Sequence, residues 1–344
     1  MDLVTVLLVL VVILVALFDF TNGFHDAADM VATAIASRAM KPGVAIAIVS
    51  LFTFVAPFAV GLAVADTVGT LVNVEAASTI EGESLVMAAL LAAVSYNLAT
   101  WWLGFPSSSS NSLAGGLVGA GLYCVGGGNI TWGISALQHG QLEGVMKVMA
   151  GLFVSPLFGF VIGYLVMKLL FLLLRRATQK MSVLFVGSQY LSVAWLGFSH
   201  GANDAQKGMA VIGMMLLASG VTETFFIPVW AIVLCAAAIT LGTMFGGWRI
   251  IKTLGFGLFH VKVIHSVANQ LGSALVNSIA TLSGAPTSTT QVVTATLLGN
   301  GAAEKPQHVR WQTARGIVTG WFLNVPISIS LGWLYCFLFL TLWG

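Results

Sequence analysis

The chain reads as an all-α polytopic membrane protein, built from two inverted-topology repeats with broken helices and two re-entrant helical hairpins. Three observations lead there. First, the 344 residues are 58% apolar and only 8% charged, with a mean hydropathy of +0.96. Soluble domains carry about 25% charged residues. So little charge cannot cover a water-facing surface, and several apolar runs reach the about 20 residues that a helix needs to cross a bilayer. The short alternating strands of a membrane barrel do not occur. Second, a polar interruption of the apolar text occurs twice, half a chain apart. Third, basic residues gather in a few short linkers and acidic residues in others.

The polar interruption is Phe20-Thr21-Asn22-Gly23-Phe24-His25-Asp26-Ala27. It returns 178 residues later as Phe198-Ser199-His200-Gly201-Ala202-Asn203-Asp204-Ala205, with Phe, Gly, Asp and the last Ala in matching places. Both copies put a carboxylate, an amide and an imidazole inside apolar text. Ionisable groups at membrane depth are expensive and usually mark function. Leu3–Leu17 could imitate a signal peptide, but Asp2 is the only early charge and no cleavage site follows, so the segment reads as retained.

The apolar blocks run over approximately 3–20, 27–37, 43–65, 84–104, 111–125, 144–174, 183–199, 208–219, 226–248, 263–283, 291–299 and 313–343. Basic residues cluster at Arg38/Lys41, Lys168/Arg175/Arg176/Lys180, Arg249/Lys252/Lys262 and Lys305/Arg310/Arg315; only Lys147 and Lys207 stand apart. Asp66, Glu75, Glu81, Glu83, Glu143 and Glu223 lie elsewhere. The positive-inside rule assigns the basic loops to the cytoplasm. The crossings then give repeat 1 over 1–174, a cytoplasmic connector at 175–182 and repeat 2 over 183–344, with both termini outside. An odd crossing number in the first half inverts the second. That is the plan of secondary transporters, which place their sites at the midplane on interrupted helices. The cysteines, Cys124, Cys235 and Cys336, lie in apolar text and read as small buried hydrophobes.

A second pair of motifs sits at the hairpin bends. Gly104-Phe105-Pro106-Ser107-Ser108-Ser109-Ser110-Asn111 matches Gly284-Ala285-Pro286-Thr287-Ser288-Thr289-Thr290-Gln291 at an offset of 180. Gly and Pro break one helix, and the hydroxyl run opens the next. The free N–H groups and positive dipole end at a helix start favour an anion, and Ser and Thr add donors without charge. Two tips entering from opposite faces would meet near the midplane and surround one oxyanion, so Ser107, Ser108, Ser109, Ser110, Thr287, Ser288, Thr289 and Thr290 are the expected substrate donors, with Asn22 and Asn203 beside them.

Asp26 and Asp204 would repel an anion. They are expected to hold coupling cations or protons, helped by His25 and His200, and to hold sodium if sodium is the coupling ion. The membrane voltage creates the need. A divalent anion entering a negative-inside cell faces roughly 4.6 kcal/mol per 100 mV, which two co-transported monovalent cations would cancel. Asp29 and Lys207 lie one turn beyond the motifs and could pair with each other or line a water path. Asp19 is similar. His265, Asn269 and Gln270 read as polar packing.

At these residues the chain resembles the inorganic phosphate transporter family. The resemblance rests on Asn22-Gly23-Phe24-His25-Asp26, on Gly201-Ala202-Asn203-Asp204 and on both Gly-x-Pro-Ser/Thr tips. Arg38-Ala39-Met40-Lys41-Pro42 and Gln206-Lys207-Gly208 look like bacterial low-affinity members. It implies phosphate uptake by symport with protons or sodium, and in the branch with the Gly-Phe-His-Asp form also carriage of neutral metal–phosphate complexes. No covalent cofactor is expected. The expected partners are phosphate, the coupling cation, in some cases a divalent metal carried with phosphate, the bilayer of a bacterial inner membrane and a second copy of the chain, with no nucleic acid. Asn111 and Gln291 stand where relatives commonly have His. Three other readings remain open: a sulfate or other oxyanion symporter of the same fold, an intramembrane hydrolase using a serine from 107–110 with a buried His, and an anion channel.

Overall fold

A computed structural model of the protein describes residues 3–176 and 181–343. The described residues form thirteen α-helices: α1 Leu3–Ala36, α2 Pro42–Ala59, α3 Ala63–Gly69, α4 Thr79–Trp102, α5 Ser109–Cys124, α6 Ile134–Gln138, α7 Gly144–Leu173, α8 Met181–Ala218, α9 Val229–Phe245, α10 Trp248–Gly257, α11 Val263–Leu282, α12 Thr289–Glu304 and α13 Trp311–Trp343. The only β pairing among them is an isolated bridge between Val72 and Ile130. Five helices, α1, α2, α4, α7 and α13, are long and apolar enough to cross a membrane. The fold class is therefore all-α and membrane-embedded. The connector expected at 175–182 lies partly outside the described residues.

The two helices that carry the polar motifs are not broken. α1 runs 34 residues and α8 runs 38, each helical straight through its Asp motif. At 1.5 Å per residue both exceed the about 30 Å hydrocarbon layer. Two causes remove the need for a break. Asn22, Asp26, Asn203 and Asp204 find partners on the hairpin tips, as described below, so no main-chain group has to be freed to hold them. The motif glycines do packing work instead. A Cβ on Gly23 would overlap the Ile239 carbonyl of α9, and a Cβ on Gly201 would overlap the Thr53 carbonyl of α2. Small residues that let helix backbones touch are the usual packing device in membranes, where apolar burial gives little drive for association.

Those contacts belong to a wider pattern of exchanged partners. α1 packs on α9, and α8 on α2. α5 packs on α13, and α12 on α7. α1 also packs on α4, and α8 on α11. The motif helices are thus wedged between elements of both halves, and each hairpin's second helix lies along a long helix, α5 along α13 and α12 along α7.

The hairpins α4–α5 and α11–α12 turn in the same way. Gly104 (φ 68°) and Gly284 (φ 66°) take the left-handed conformation. Phe105 N–H donates to Thr100 O, and Ala285 N–H to Ala280 O, each at 2.9 Å. Gly104 N–H donates to Trp101 O, and Gly284 N–H to Thr281 O. Both turns are Schellman motifs, which close the carbonyl end of a helix at a residue with positive φ. Pro106 and Pro286 then keep the chain extended before the next helix starts. Ser108 caps α5 by accepting from Asn111 N–H, and Ser288 caps α12 by accepting from Gln291 N–H.

Charge is also sorted in space. Arg38, Lys262 and Arg310, from three of the basic clusters, line one surface cavity together with His260. The buried core is mostly Ala, Val, Leu, Ile and Met, in one large cluster around α1, α4, α5, α8 and α9 and a second around α1, α8, α10, α11 and α12. The three cysteines are free, with Cys235 and Cys336 buried.

Because Gly201 is pressed on the α2 backbone, Gly201→Ala is expected to cost about 1–3 kcal/mol through overpacking. Gly187, on the same helix with nothing within 4 Å of a Cβ, should tolerate Gly187→Ala or gain up to about 1 kcal/mol. Thermal unfolding of the two purified variants in detergent checks the contrast.

Candidate functional site

The hairpin tips meet. The Ser110 hydroxyl of the first tip donates to the Thr287 carbonyl of the second at 2.8 Å. Every hydroxyl residue of both tips is buried: Ser107, Ser108, Ser109 and Ser110 on one side, Thr287, Ser288, Thr289 and Thr290 on the other. Their geometry follows from the caps. The first N–H groups of a helix have no acceptor inside it. Each cap serine takes the N–H of its own third residue on. The N–H groups of residues 109, 110, 289 and 290 start the two helices beside the junction of the tips.

Each tip is braced by an Asn from its own motif. Asn22 Oδ1 accepts from the Ser109 hydroxyl at 2.6 Å. Asn203 does more: its Oδ1 accepts from Thr287 N–H at 3.0 Å, and its Nδ2 donates to Thr281 Oγ1 and Ala285 O. Both asparagines therefore hold the tips in place.

The carboxylates gather on the second tip. Thr290 Oγ1 lies 2.8 Å from Asp26 Oδ1 and 2.5 Å from Asp29 Oδ2. Thr289 donates to Asp204 Oδ2 at 2.7 Å. His200 Nδ1 lies 2.8 Å from the same oxygen and 4.0 Å from Asp26 Oδ2, and His25 Nδ1 is 3.4 Å from Asp26 Oδ1. Two overlapping groups result, His25/Asp26/Asp29 and Asp26/His200/Asp204, each with its ligand atoms within 4.8 Å of one another. All five side chains are buried. Nitrogen and carboxylate donors so close together suit a small cation or a shared proton.

Lys207 sits where sequence reasoning did not put it. It does not pair with Asp29. It pairs with Asp204, three residues back on α8, and also donates to the Ser110 hydroxyl and, at 2.8 Å, to the Thr287 carbonyl. Asp204, expected to hold a free cation, already faces an ammonium. Asp19 is buried on α1 against Gly208 and takes no hydrogen bond from either tip. His265 forms a separate cluster with Glu304 and Lys262 at the open end of the second hairpin. Gln270 accepts from Ser192 and Gln189, as polar packing requires.

Three supports escaped the motif search. Asn97 on α4 accepts from Ser112 at 3.1 Å. Asn277 on α11 accepts from the Thr287 hydroxyl at 3.3 Å. They stand 180 residues apart, the offset of the tips themselves, and that spacing was the signal available. Asn324 of α13 donates to the Ser108 carbonyl at 2.7 Å. No counterpart in the other half pointed to it.

A family model described as the phosphate transporter family matches residues 22–332, which include the first motif from Asn22 on, the second Asp motif and both tips. The chain belongs to the phosphate transporter family. It is 36% identical to a probable low-affinity inorganic phosphate transporter of Rhizobium meliloti, over 94% of this chain and 93% of that protein. It is 35% identical to one of Bacillus subtilis, over 96% of this chain and 97% of that protein. A solved structure described as the sodium-dependent phosphate transporter shares the fold, with a TM-score of 0.85 at 23% identity, covering 98% of this chain and 100% of that one. The family is one of transporters, not enzymes, and the hydrolase reading is set aside.

The shared hydroxyl of Thr290 gives a test of the site. Thr290→Val leaves Asp26 and Asp29 facing each other without it, and a hydrogen bond to a charged group contributes about 1.5–3 kcal/mol. Phosphate uptake at matched expression should fall about 10- to 100-fold, while Thr290→Ser, which keeps the hydroxyl, should retain most of it.

Proposed function

We propose that the protein takes up inorganic phosphate by symport with protons or sodium, with the oxyanion seated between the two hairpin tips and the cations on the carboxylates beside it. The observation that carries this reading is the direct contact of the tips through Ser110 and Thr287 beside Asp26, Asp29 and Asp204. Two helix starts facing one another supply N–H groups, hydroxyls and the positive dipole ends that an oxyanion needs. The contact between the tips is the closed form of that seat, and phosphate enters by separating them.

The carboxylates fit the cation role on charge alone. Asp26, Asp29 and Asp204 are buried together near one ammonium, that of Lys207, which contacts Asp204. A phosphate adds more negative charge. Such a cluster binds the anion only if cations or protons come with it. Thr290 makes the same point at atomic scale. Its hydroxyl has one hydrogen to give and two carboxylate oxygens within reach, so a second hydrogen or a cation has to satisfy the other.

Phosphate suits the seat better than sulfate. The seat includes acceptors, Asp26 and the Thr287 carbonyl, that a protonated phosphate oxygen can serve and a sulfate cannot. His25, Asp26 and Asp29 offer the nitrogen and oxygen donors that divalent ions use, which favours a metal–phosphate complex as the second cargo. The exchanged packing partners and the matched tips support two antiparallel repeats, 1–174 and 183–344, that rock about the fixed site. The convergence of Arg38, Lys262 and Arg310 on one end supports a cytoplasmic basic face and outside termini in a bacterial inner membrane.

In proteoliposomes, radiolabelled phosphate uptake should follow an imposed proton or sodium gradient, with sulfate a poor competitor. Asp26→Asn should abolish the gradient-driven part while the protein still expresses and folds. Full driven uptake by Asp26→Asn would remove Asp26 from the coupling, and currents of phosphate with no cation dependence would favour a channel.

A further inference from the structure

Among the described residues, Lys207 is the one Lys or Arg built into the site. Its side chain is buried on α8, and lysine at membrane depth is retained only where its charge is matched. An ammonium has three hydrogens to give. Lys207 places them on a carboxylate of its own helix (Asp204), a hydroxyl of the first tip (Ser110) and a backbone carbonyl of the second tip (Thr287). The Ser110 hydroxyl accepts from the ammonium while it donates to the Thr287 carbonyl, so the triangle is consistent in donors and acceptors.

A carboxylate, a hydroxyl and a main-chain carbonyl converging on one point are hard oxygen ligands. They are the set that an alkali cation takes when it replaces its water shell. Here a tethered ammonium fills the point. We infer that Lys207 stands in for a co-transported monovalent cation: it neutralises Asp204 and draws the two tips together as a bound sodium would, but it does not cross the membrane. This rests on the tips being the phosphate seat with cations beside it.

Two consequences follow. The place at Asp204 does not exchange ions, so the mobile cation or proton is confined to Asp26, Asp29 and His25. The chain also moves one fewer positive charge inward per phosphate than a protein that fills both places from solution. Lys207 is thus a positioning residue that sets which cation, and how many, the cycle uses.

The test removes the tether. Lys207→Ala leaves a cation-sized gap still lined by Asp204, Ser110 and Thr287. Purified variants are compared by thermal unfolding in sodium chloride and in choline chloride, with and without inorganic phosphate. Uptake into proteoliposomes is measured in the same two salts. Lys207→Ala should gain a sodium-dependent stabilisation that the parent protein lacks, and its uptake should be at least 10-fold faster in sodium than in choline. The gain should vanish in Lys207→Ala/Asp204→Asn, which lacks the carboxylate. Lys207→Asn, which keeps a polar side chain, is assayed alongside in case the alanine variant folds poorly. Absence of any new sodium response in both single variants, or a response that survives Asp204→Asn, overturns the inference. The unfolding readout needs no transport, so loss of phosphate uptake in the parent protein would count against the proposed cargo and leave the cation assignment to be judged by itself.

Discussion

The structure depends on one constraint: in a setting without water, a buried charged or polar side chain is costly unless it finds a partner inside the protein. The two hairpin tips and the two Asp motifs solve that problem for one another. Thr289 and Thr290 serve Asp204, Asp26 and Asp29. Lys207 serves Asp204 and both tips, and the two asparagines tie the tips to the motif helices. None of these groups is satisfied by its own element alone. Separating the tips would break the Ser110–Thr287 contact and part of the Lys207 bridge together.

That mutual dependence is why the helices stay whole. A polar motif in an apolar helix can be accommodated by unwinding the main chain or by bringing polar partners to the side chains. Here the partners come from the tips, and Gly23 and Gly201 let α9 and α2 approach closely enough to hold the helices in place. At the hairpin bends the main chain does leave the helix, and there Schellman turns and serine caps close the main-chain bonds.

Much of this was legible in the sequence. The paired motifs at offsets of 178 and 180 marked the four segments that meet, and composition fixed the helical membrane class. Three things were not legible, each for a physical reason. Glycine in a polar stretch signals a break and a close packing contact with the same letter, so the continuity of α1 and α8 could not be read from Gly23 or Gly201. Lys207 lies three residues from Asp204, a spacing that puts both on one helix face, yet its reach to two tips depends on how the hairpins close in space. Asn324 supports Ser108 from a distant helix, and no local pattern encodes a contact over 216 residues.

The central claim is that an oxyanion is held between the two tips. The most direct measurement is an experimental density map of the protein saturated with phosphate in a lipid environment. The account predicts tetrahedral density at the junction of residues 109–110 and 289–290, within about 3 Å of their hydroxyl or N–H groups, with the Ser110–Thr287 contact opened. Phosphate density elsewhere, with that contact still closed, would contradict it.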